Sequence, residues 1–553
     1  MASKCSHIAA RRVYITHHEN RIAAMFVFYK ALIVVIGIAM IVFIGGRPLF
    51  LRFMTPSDYA VRRNVWLALT FAAFLIPNFW LYLLVAAVLI LFAAQRDSNP
   101  VALYMVLLLT LPPIGKELPT FGIVNQLLFM DHLRFLSLAL LLPLALGFFR
   151  REPAVARGPM GGERGSAMLP TDVLILLYVL LQIVLLMPYE SFTATAKRMI
   201  LMGTDMLLPY YVLSRACRSR ESFREVMAAF VLAALILVPM GVFEMFKGWL
   251  LYAGFAEHWD SVSYMNYLTR GKYLRAQVNS GHSIVLGYTF AVAFGFWLSL
   301  QTRVASANWR WGVLMALLVG LLVTFARGPW LGAVAIWVVF LRLGPDARRR
   351  SAKAIGLLFV VGILAMVSPL GDKIVDNIPF IGSVGSETVE YRQKLAETSW
   401  LLILQNPIFG SRNFLAYMED LRQGQGIIDL VNAYATIALS YGLVGLGLFA
   451  GFFGTILARC FKSVRQLTAP DPDFALIGGA LVAVLASALV MLFTVNLYMS
   501  IGTLTWALAG MGVAYARLAK GVLAGDVAML APLEAGPLRM PIQTGLRPAP
   551  RSA

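Results

Sequence analysis

The sequence predicts an all-α, polytopic integral membrane protein with about fourteen transmembrane helices. Apolar residues make up 59% of the chain and charged residues 14%, and the mean hydropathy is +0.75, which lies far outside the range of soluble globular proteins. The apolar residues form runs long enough to cross a bilayer as helices. The basic residues behind the net charge of +19 cluster in short segments between these runs. They are topology signals and form no nucleic-acid surface, so we expect no nucleic-acid partner.

The predicted spans follow one another along most of the chain. They cover residues 24–45, 65–94, 101–114, 133–149, 171–188, 198–215, 223–247, 283–301, 311–325, 328–343, 354–369, 431–457, 474–496 and 500–516. The run at 65–94 is long enough to be a helical hairpin broken at Pro77-Asn78, and the run at 101–114 is short for a span. The chain then divides into a cytoplasmic N-terminal segment (1–23), a bundle of about eleven helices (24–369), a large late periplasmic loop with short helices (370–430), C-terminal transmembrane helices (431–516) and a disordered cytoplasmic tail (517–553).

The orientation follows from basic residues that occupy alternate loops, as the positive-inside rule requires. The loops assigned to the cytoplasm contain Arg150 and Arg151, Arg215 to Arg224, Arg303 and Arg310, Arg342 to Lys353, and Arg459 to Arg465. The segment from Arg47 to Arg63 is also basic, yet this count places it on the opposite side. We expect no cleavable signal peptide, because the polar region before the first apolar run is longer than about 20 residues.

The three cysteines, Cys5, Cys217 and Cys460, all fall in segments assigned to the cytoplasm. That compartment keeps thiols reduced, and the cysteines and histidines show no metal-ligand spacing. We therefore expect neither a disulfide nor a structural metal.

The late loop over 370–430 carries more acidic than basic residues, unlike the cytoplasmic loops. Within it, residues 388–405 repeat apolar side chains at near-helical spacing. The pattern ends before Asn406-Pro407, a pair that favours a helix end. We expect an amphipathic helix here that lies on or near the membrane surface.

Arg327 stands out because it lies between two apolar runs, in the stretch T-F-A-R-G-P-W from Thr324 to Trp330. This position is the tip of a tight hairpin of two predicted helices, with Gly328-Pro329 favouring the turn. An arginine at membrane depth costs about 2.5 kcal/mol or more and usually faces a cavity lined by water or protein. The alternative is an interfacial arginine whose side chain reaches the lipid headgroups.

Three stretches on the same predicted side of the membrane carry further candidates. They are L-R-A-Q-V-N-S-G-H from Leu274 to His282, the Arg327 hairpin tip, and the pair of segments 391–411 and 431–446. Over roughly residues 270–455, this combination resembles the O-antigen ligase and polymerase superfamily, the WaaL and Wzy proteins of bacterial surface-polysaccharide assembly. A-R-G-P-W stands where the family has S-R-G-x-W. The remaining matches to family motifs are Arg392, Pro407 and Gly410 in the loop, then Val431-Asn432-Ala433-Tyr434 for H-N-x-Y, and Gly442 to Leu446 for G-L-x-G-L.

The resemblance implies glycosyl transfer from an undecaprenyl-diphosphate-linked glycan to an acceptor hydroxyl, without a metal or other cofactor, on the periplasmic face of a bacterial inner membrane. The main hypothesis is a Wzy-like polymerase in exopolysaccharide or O-antigen assembly, which joins one lipid-linked repeat unit to another and works with membrane lipids and a chain-length regulator. The alternative is an O-antigen ligase that uses lipid A-core as the acceptor. Val431 replaces a histidine that is proposed to act on the acceptor in the ligases, and valine cannot transfer a proton. A flippase or transporter is less favoured, since the chain shows no internal repeat.

Such a site needs cations for the diphosphate, and the planar guanidinium group pairs bidentately with phosphate oxygens. We therefore expect Arg275, Arg327 and Arg392 around the diphosphate; a headgroup contact for Arg275 and an ordinary surface charge for Arg392 are the alternatives.

The remaining candidates would act on the glycan or on a proton. His282 is a candidate catalytic base, with a structural hydrogen bond as the alternative. Asn432 and Tyr434 are expected to bind sugar hydroxyls. Asp205 is an acid within an apolar run, so it is either a substrate-binding residue or a hydrogen-bond partner of a neighbouring helix.

Overall fold

The computed structural model describes residues 27–118, 128–155, 168–259, 266–343, 386–422 and 428–525. These residues are mostly helical with few strands, in agreement with an all-α polytopic membrane protein. Among them, 7 helices are long and apolar enough to cross a membrane, and further apolar helices are shorter. The predicted count of about fourteen spans is therefore not confirmed, and the span predicted at 354–369 lies outside the described residues.

The described helices are numbered here in chain order. They are α1 Val27–Phe50, α2 Pro56–Leu75, α3 Phe79–Arg96, α4 Pro100–Thr110, α5 His132–Leu136, α6 Leu142–Val155, α7 Pro170–Leu186, α8 Phe192–Met202, α9 Leu208–Ala216, α10 Arg220–Lys247, α11 Ala253–His258, α12 Ser283–Leu300, α13 Ala307–Val323, α14 Arg327–Leu343, α15 Ser386–Gln405, α16 Ala433–Leu467, α17 Pro472–Met491 and α18 Met499–Leu523. Single π-helical turns join α5 to α6 (Ser137–Leu141) and α8 to α9 (Gly203–Leu207).

Two short antiparallel β-hairpins interrupt the helices, which the sequence did not predict. Strand β1 (Gly115–Leu118) pairs with β2 (Leu128–Asp131), and β3 (Thr269–Arg270) pairs with β4 (Tyr273–Leu274). Gly271 closes the second hairpin with a φ of 58°, a left-handed conformation that glycine adopts at little cost. Strands this short carry no detectable alternation, so their pairing cannot be read from the chain.

The proposed break within residues 65–94 is confirmed. Helix α2 ends at Leu75, and Asn78 caps α3 by accepting a hydrogen bond from the Leu81 amide at 3.0 Å. The amphipathic loop helix is also confirmed as α15, which ends at Gln405 with Trp400 and Leu401 exposed. Both predictions depended on local signals, namely a helix breaker and a helical apolar period.

The final helix runs further than the sequence indicated. Helix α18 continues to Leu523 instead of ending near residue 516, and the Arg517 guanidinium donates to the Ser214 carbonyl at 3.3 Å. The tail predicted at 517–553 is thus helical at its start, and residues 526–553 lie outside the described part of the chain.

Helices α10, α12, α17 and α18 form the centre of the bundle and are buried over most of their length. Their residues are apolar all round, as expected of helices surrounded by other helices. Helices α1 and α3 are much more exposed along their apolar faces and lie at the periphery. A site held by α12 and the segments around it therefore rests on the most rigid part of the fold.

A buried ion network fixes one end of the bundle. The fully buried Arg62 guanidinium lies 2.7 Å from Asp97 Oδ1 and 2.6 Å from Glu225 Oε1, so the start of α2 meets the start of α10. Arg47 to Arg63 therefore lies at the same end as the basic segment Arg215 to Arg224, which is the arrangement that the positive-inside rule favours. The span count and the basic composition conflicted over Arg47 to Arg63, and the buried ion network favours the composition.

Helix α1 starts at the other end of the bundle. There the Phe28 ring stacks on Phe255 of α11 with centroids 6.0 Å apart, beyond the far end of α10. Residues 1–23, expected in the cytoplasm, lie outside the described residues.

Candidate functional site

Arg327 lies where the sequence placed it, at the tip of the hairpin of α13 and α14. Helix α13 ends at Val323, residues 324–326 form the turn, and Arg327 is the first residue of α14. Phe325 turns the chain with a φ of 47°, and the Trp330 indole N–H donates to the Leu321 carbonyl at 2.8 Å. This indole bond ties α14 back to α13, so the half-buried Arg327 starts from a fixed backbone.

Gly328 and Pro329 do not form the turn of the hairpin, although the sequence suggested that they do. Both residues belong to the first turn of α14, where proline is tolerated because the first amides of a helix have no intrahelical acceptor. A Cβ atom on Gly328 would overlap the Thr494 hydroxyl. Gly328 therefore allows the start of α14 to approach the segment between α17 and α18.

The segment 266–282 docks against this hairpin tip. The Ala276 amide donates to the Val323 carbonyl at 3.1 Å, and Arg275 Nε donates to the Thr324 carbonyl at 3.3 Å. The Tyr273 ring stacks on Phe325 with centroids 6.2 Å apart. Two of the three predicted arginine positions, Arg275 and Arg327, are thereby brought together by backbone contacts.

Glu244 of α10 also binds the segment 266–282. This residue was not identified as part of the site from the sequence. Its fully buried carboxylate near the end of α10 accepts hydrogen bonds from the amides of Leu251, Gln277 and Val278 at 2.9, 2.9 and 2.8 Å. Val278 has a φ of 51°, which is costly for a β-branched residue and needs such support. An acid at the end of an apolar run was the signal that could have identified it.

Glu244→Gln is expected to lower the free energy of unfolding by about 2 kcal/mol and to reduce any activity that depends on Arg275. An amide side chain has one acceptor oxygen and turns its NH₂ group toward a backbone donor, so at least one buried amide loses its partner. Thermal unfolding of the purified protein measures the change. Glu257→Gln, at an exposed position on α11, is the matched control. Equal stability of the two variants would contradict a stabilising role for the Glu244 hydrogen bonds.

Arg270, Arg275, Arg327 and Arg392 form one cationic cluster, which we call the arginine cluster. The pKa of Arg275 is lowered to about 10, chiefly by burial and then by the neighbouring Arg270 and Arg327 guanidiniums, while Tyr498 opposes them. Burial, then Arg327 and Arg392, lower the pKa of Arg270. All four remain charged at neutral pH. An anion would relieve the repulsion among them, so the cluster is chemically suited to bind concentrated negative charge.

Three of the four arginines in the cluster have few acidic partners. Among the described residues, no carboxylate lies within salt-bridge distance of Arg270, Arg275 or Arg392, and the exposed Asp429 acts on Arg392 only at longer range. Arg270 was missed at the sequence level, although T-R-G-K-Y-L-R places it close to Arg275. An excess of guanidinium groups over carboxylates is what a diphosphate requires.

His282 is half-buried beside the cluster and caps α12. Its Nδ1 accepts a hydrogen bond from the Ile284 amide at 3.1 Å, and its ring meets Tyr498 edge-on with centroids 6.3 Å apart. Burial, and then Arg275, lower the pKa of His282 to about 4. The neutral ring therefore carries its proton on Nε2, where it can donate a hydrogen bond but has no free lone pair with which to accept a proton.

The rate of any reaction at this site is expected to show no His282-dependent inflection between about pH 5 and 8, since the ring stays neutral over this range. The measurement is a pH-rate profile of the parent and of His282→Asn, a substitution that preserves a helix cap but cannot titrate. Profiles of the same shape are expected. An inflection near neutral pH that disappears in the variant would identify His282 as a base.

A cavity of about 1120 Å³ adjoins the cluster. Gly281, the chain neighbour of His282, lines this cavity. Tyr498, whose ring contacts the His282 ring, lines it as well. Asp205 also lines the cavity, on the π turn before α9, and is paired with Arg134 at 3.0 Å. This ion pair goes beyond the simple hydrogen bond that the sequence offered as the alternative, and it leaves the predicted substrate-binding role of Asp205 untested.

The structure gives Asn432 and Tyr434 local contacts. Asn432 caps α16 by accepting hydrogen bonds from the Tyr434 and Ala435 amides at 2.9 and 3.2 Å, and the Tyr434 hydroxyl donates to the Leu489 carbonyl at 2.7 Å. Neither residue lines the large cavity, whereas Thr436 one turn further does. Their binding of sugar hydroxyls remains a prediction.

The two glycine motifs meet each other. Helix α16 breaks at Gly442, with φ 64° and ψ −167°, and the turn 406–411 packs into this break. The Leu443 amide donates to the Pro407 carbonyl at 2.7 Å, and the Ser411 amide donates to the Leu439 carbonyl at 2.8 Å. A Cβ atom on Gly410 or Gly442 would overlap the backbone of the other segment. The glycines are thus needed for close backbone contact between the late loop and α16.

Comparison with known proteins gives one family match. Residues 311–450 match the family model described as O-antigen ligase, a region that contains Arg327, Arg392, the turn 406–411 and the break at Gly442. No curated protein matches the chain. Over these residues, about a quarter of the chain, the sequence is similar to the O-antigen ligase family, which agrees with the resemblance drawn from the sequence motifs.

Proposed function

We propose that the protein is a membrane glycosyltransferase of the polymerase type. It transfers an undecaprenyl-diphosphate-linked glycan to another lipid-linked repeat unit, on the periplasmic face of a bacterial inner membrane, during exopolysaccharide or O-antigen assembly. The observation that carries the proposal is the arginine cluster beside a large cavity. The family match supports the class of reaction.

The arginine cluster suits the leaving group of such a reaction. The acceptor hydroxyl oxygen bonds to the anomeric carbon of the donor, and the bond from that carbon to the diphosphate oxygen breaks. The electron pair stays on the diphosphate, and the hydroxyl proton passes to it or to solvent. Charge therefore grows on the phosphate as the bond breaks, and cations fixed before the reaction stabilise it without reorganisation. In this proposal the arginines supply that stabilisation, and no metal takes part.

The cavity suits the glycan. Its volume of about 1120 Å³ is at the upper end of what small-molecule sites enclose, which leaves room for several sugar rings. The ion pair of Asp205 with Arg134 offers both acceptors and donors for hydroxyl groups. His282 contributes an Nε2–H donor near the cluster, and Asn432 and Tyr434 remain candidates at the start of α16.

An O-antigen ligase is the second candidate, because the matched family model carries that description. Val431 favours the polymerase. It stands at the position of the ligase histidine and packs with Leu395, Phe414 and Leu439 in the small apolar core of the late loop. A side chain held in an apolar core, with no group that can carry a proton, has no part in activating an acceptor.

The test is to incubate the purified protein with an undecaprenyl-diphosphate oligosaccharide repeat unit, with and without lipid A-core, and to separate the products on a gel. A ladder that forms without lipid A-core supports the polymerase. A single shift that needs lipid A-core would make the protein a ligase. Movement of the labelled lipid across vesicles with no change in glycan length would instead identify a transporter.

A further inference from the structure

A second cationic position lies on a different wall of the cavity. A smaller pocket of about 140 Å³ opens between α7, α8 and the turn 406–411, and it shares Arg198, Arg412 and Tyr441 with the large cavity. Two arginines and no acidic residue line this pocket. We call it the side pocket; none of the residues of the arginine cluster belongs to it.

Three arginines and three carboxylates line the large cavity, so their charges balance overall although they are paired unevenly. Arg134 pairs with Asp131 and Asp205, and Arg412 pairs with Glu190. Within the described ranges, no carboxylate lies within salt-bridge distance of Arg198, and its side chain is exposed. The cavity is therefore suited to a neutral glycan, while the side pocket has surplus positive charge next to it.

The rim of the side pocket is apolar. Phe409 lines the pocket and is exposed, and so are its chain neighbour Ile408 and Met199, the chain neighbour of Arg198. An exposed apolar patch of this kind is typical of a surface that contacts lipid. An anionic group at Arg198 can therefore be attached to a hydrocarbon chain that leaves the pocket across Phe409, and to a glycan that enters the large cavity on the other side.

We infer that the side pocket binds the phosphate group of the acceptor lipid, a polyprenyl diphosphate that carries its own glycan. This deepens the proposed function and rests on it. Arg198 and Arg412 bind the phosphates of the acceptor while the arginine cluster binds those of the donor. The two glycans then enter one cavity from two walls, and the acceptor hydroxyl can reach the anomeric carbon of the donor.

The experiment counts bound lipids by native mass spectrometry of the full chain in detergent. Undecaprenyl diphosphate without sugar is the probe, because it cannot react. The parent is expected to bind two molecules. In Arg198→Ala the second binding step weakens by about tenfold or more, since a charged hydrogen-bond donor is lost. In Arg198→Lys it weakens less, because the charge is kept.

Lys197→Ala is the matched control, because Lys197 is the neighbouring cation on α8 and does not line either pocket. It should retain two bound molecules. Arg275→Ala should lose the other binding step, and the Arg198→Ala, Arg275→Ala double variant should lose both. Unchanged thermal unfolding of each variant shows that binding, and not folding, was altered.

Other outcomes would overturn the inference. Two bound molecules in Arg198→Ala, or equal weakening in Lys197→Ala, would show that the side pocket is not the second site. Displacement of the second molecule by phosphatidylglycerol or by inorganic diphosphate at equal concentration would make it a general headgroup or phosphate site. Because the probe is not turned over, two bound lipids with no ladder in the transfer assay would refute the polymerase and leave the second lipid site standing.

Discussion

Gly442→Ala is expected to lower the free energy of unfolding by about 3 kcal/mol or more and to abolish transfer activity. Gly442 has φ 64° and ψ −167°, a conformation that essentially only glycine adopts. A Cβ atom there would also overlap the carbonyl of Ile408. Relief requires the turn 406–411 to leave the break in α16, and the late loop would lose its anchor. Thermal unfolding and the transfer assay measure the two effects.

Gly447→Ala is the control for this experiment. It lies in the same helix, with no heavy atom within 4 Å of the Cβ position. Alanine is the better helix former by about 1 kcal/mol, so this variant should be as stable as the parent or slightly more stable. If both variants unfolded at the same temperature, the contact between the loop and α16 would not be important for stability.

Arg327→Ala is expected to reduce the transfer rate by about 10² to 10³-fold, the usual effect of removing one donor that stabilises developing negative charge. Arg327→Lys should recover part of the rate, since it keeps the charge but loses the planar fork. The initial rate of ladder formation is the measurement. The unfolding temperature should change little, because the side chain is only half-buried and its removal relieves repulsion within the arginine cluster.

Arg310→Ala serves as the control for Arg327. Arg310 is an exposed arginine near the other end of the same hairpin, and its backbone carbonyl accepts a hydrogen bond from the Trp297 indole, which the substitution leaves in place. The substitution should leave the rate within about twofold of the parent. Equal losses of rate in the two variants would point to a general effect of hairpin charge, and a parental rate in Arg327→Ala would remove Arg327 from the proposed mechanism.

Features that depend on neighbouring residues were predictable from the sequence. The membrane class follows from composition, the break before α3 from Pro77-Asn78, and helix α15 from its apolar period. The position of Arg327 at a hairpin tip followed in the same way, because two apolar runs on either side of a single charge leave few alternatives.

The number of spans was harder to predict. An apolar run indicates that a helix is shielded from water, but not whether lipid or other helices shield it. Helix α4, Pro100–Thr110, is about 16 Å long at 1.5 Å per residue, roughly half the thickness of a bilayer core. Every residue in it after Pro100 is buried, and it packs inside the bundle against α10. An apolar run of this length therefore does not by itself decide whether the helix crosses a membrane.

The rest of the candidate site depends on contacts between residues far apart in the chain. Glu244 is connected to Gln277 and Val278, and Arg412 to Glu190, through geometry that no local pattern encodes. The meeting of Gly410 with Gly442 is of the same kind. The two glycine motifs were visible in the sequence. Glycine is needed at both positions because the two backbones touch, and only the fold reveals this contact.

That contact has a consequence for engineering. The turn 406–411 is joined to α16 through backbone amides and carbonyls, so the identity of the flanking side chains matters little for attachment. A loop transplanted from a related enzyme would need only a compatible turn with its glycine opposite Gly442. Chimeras built at this junction could exchange the late loop while the helices beneath it stay as they are.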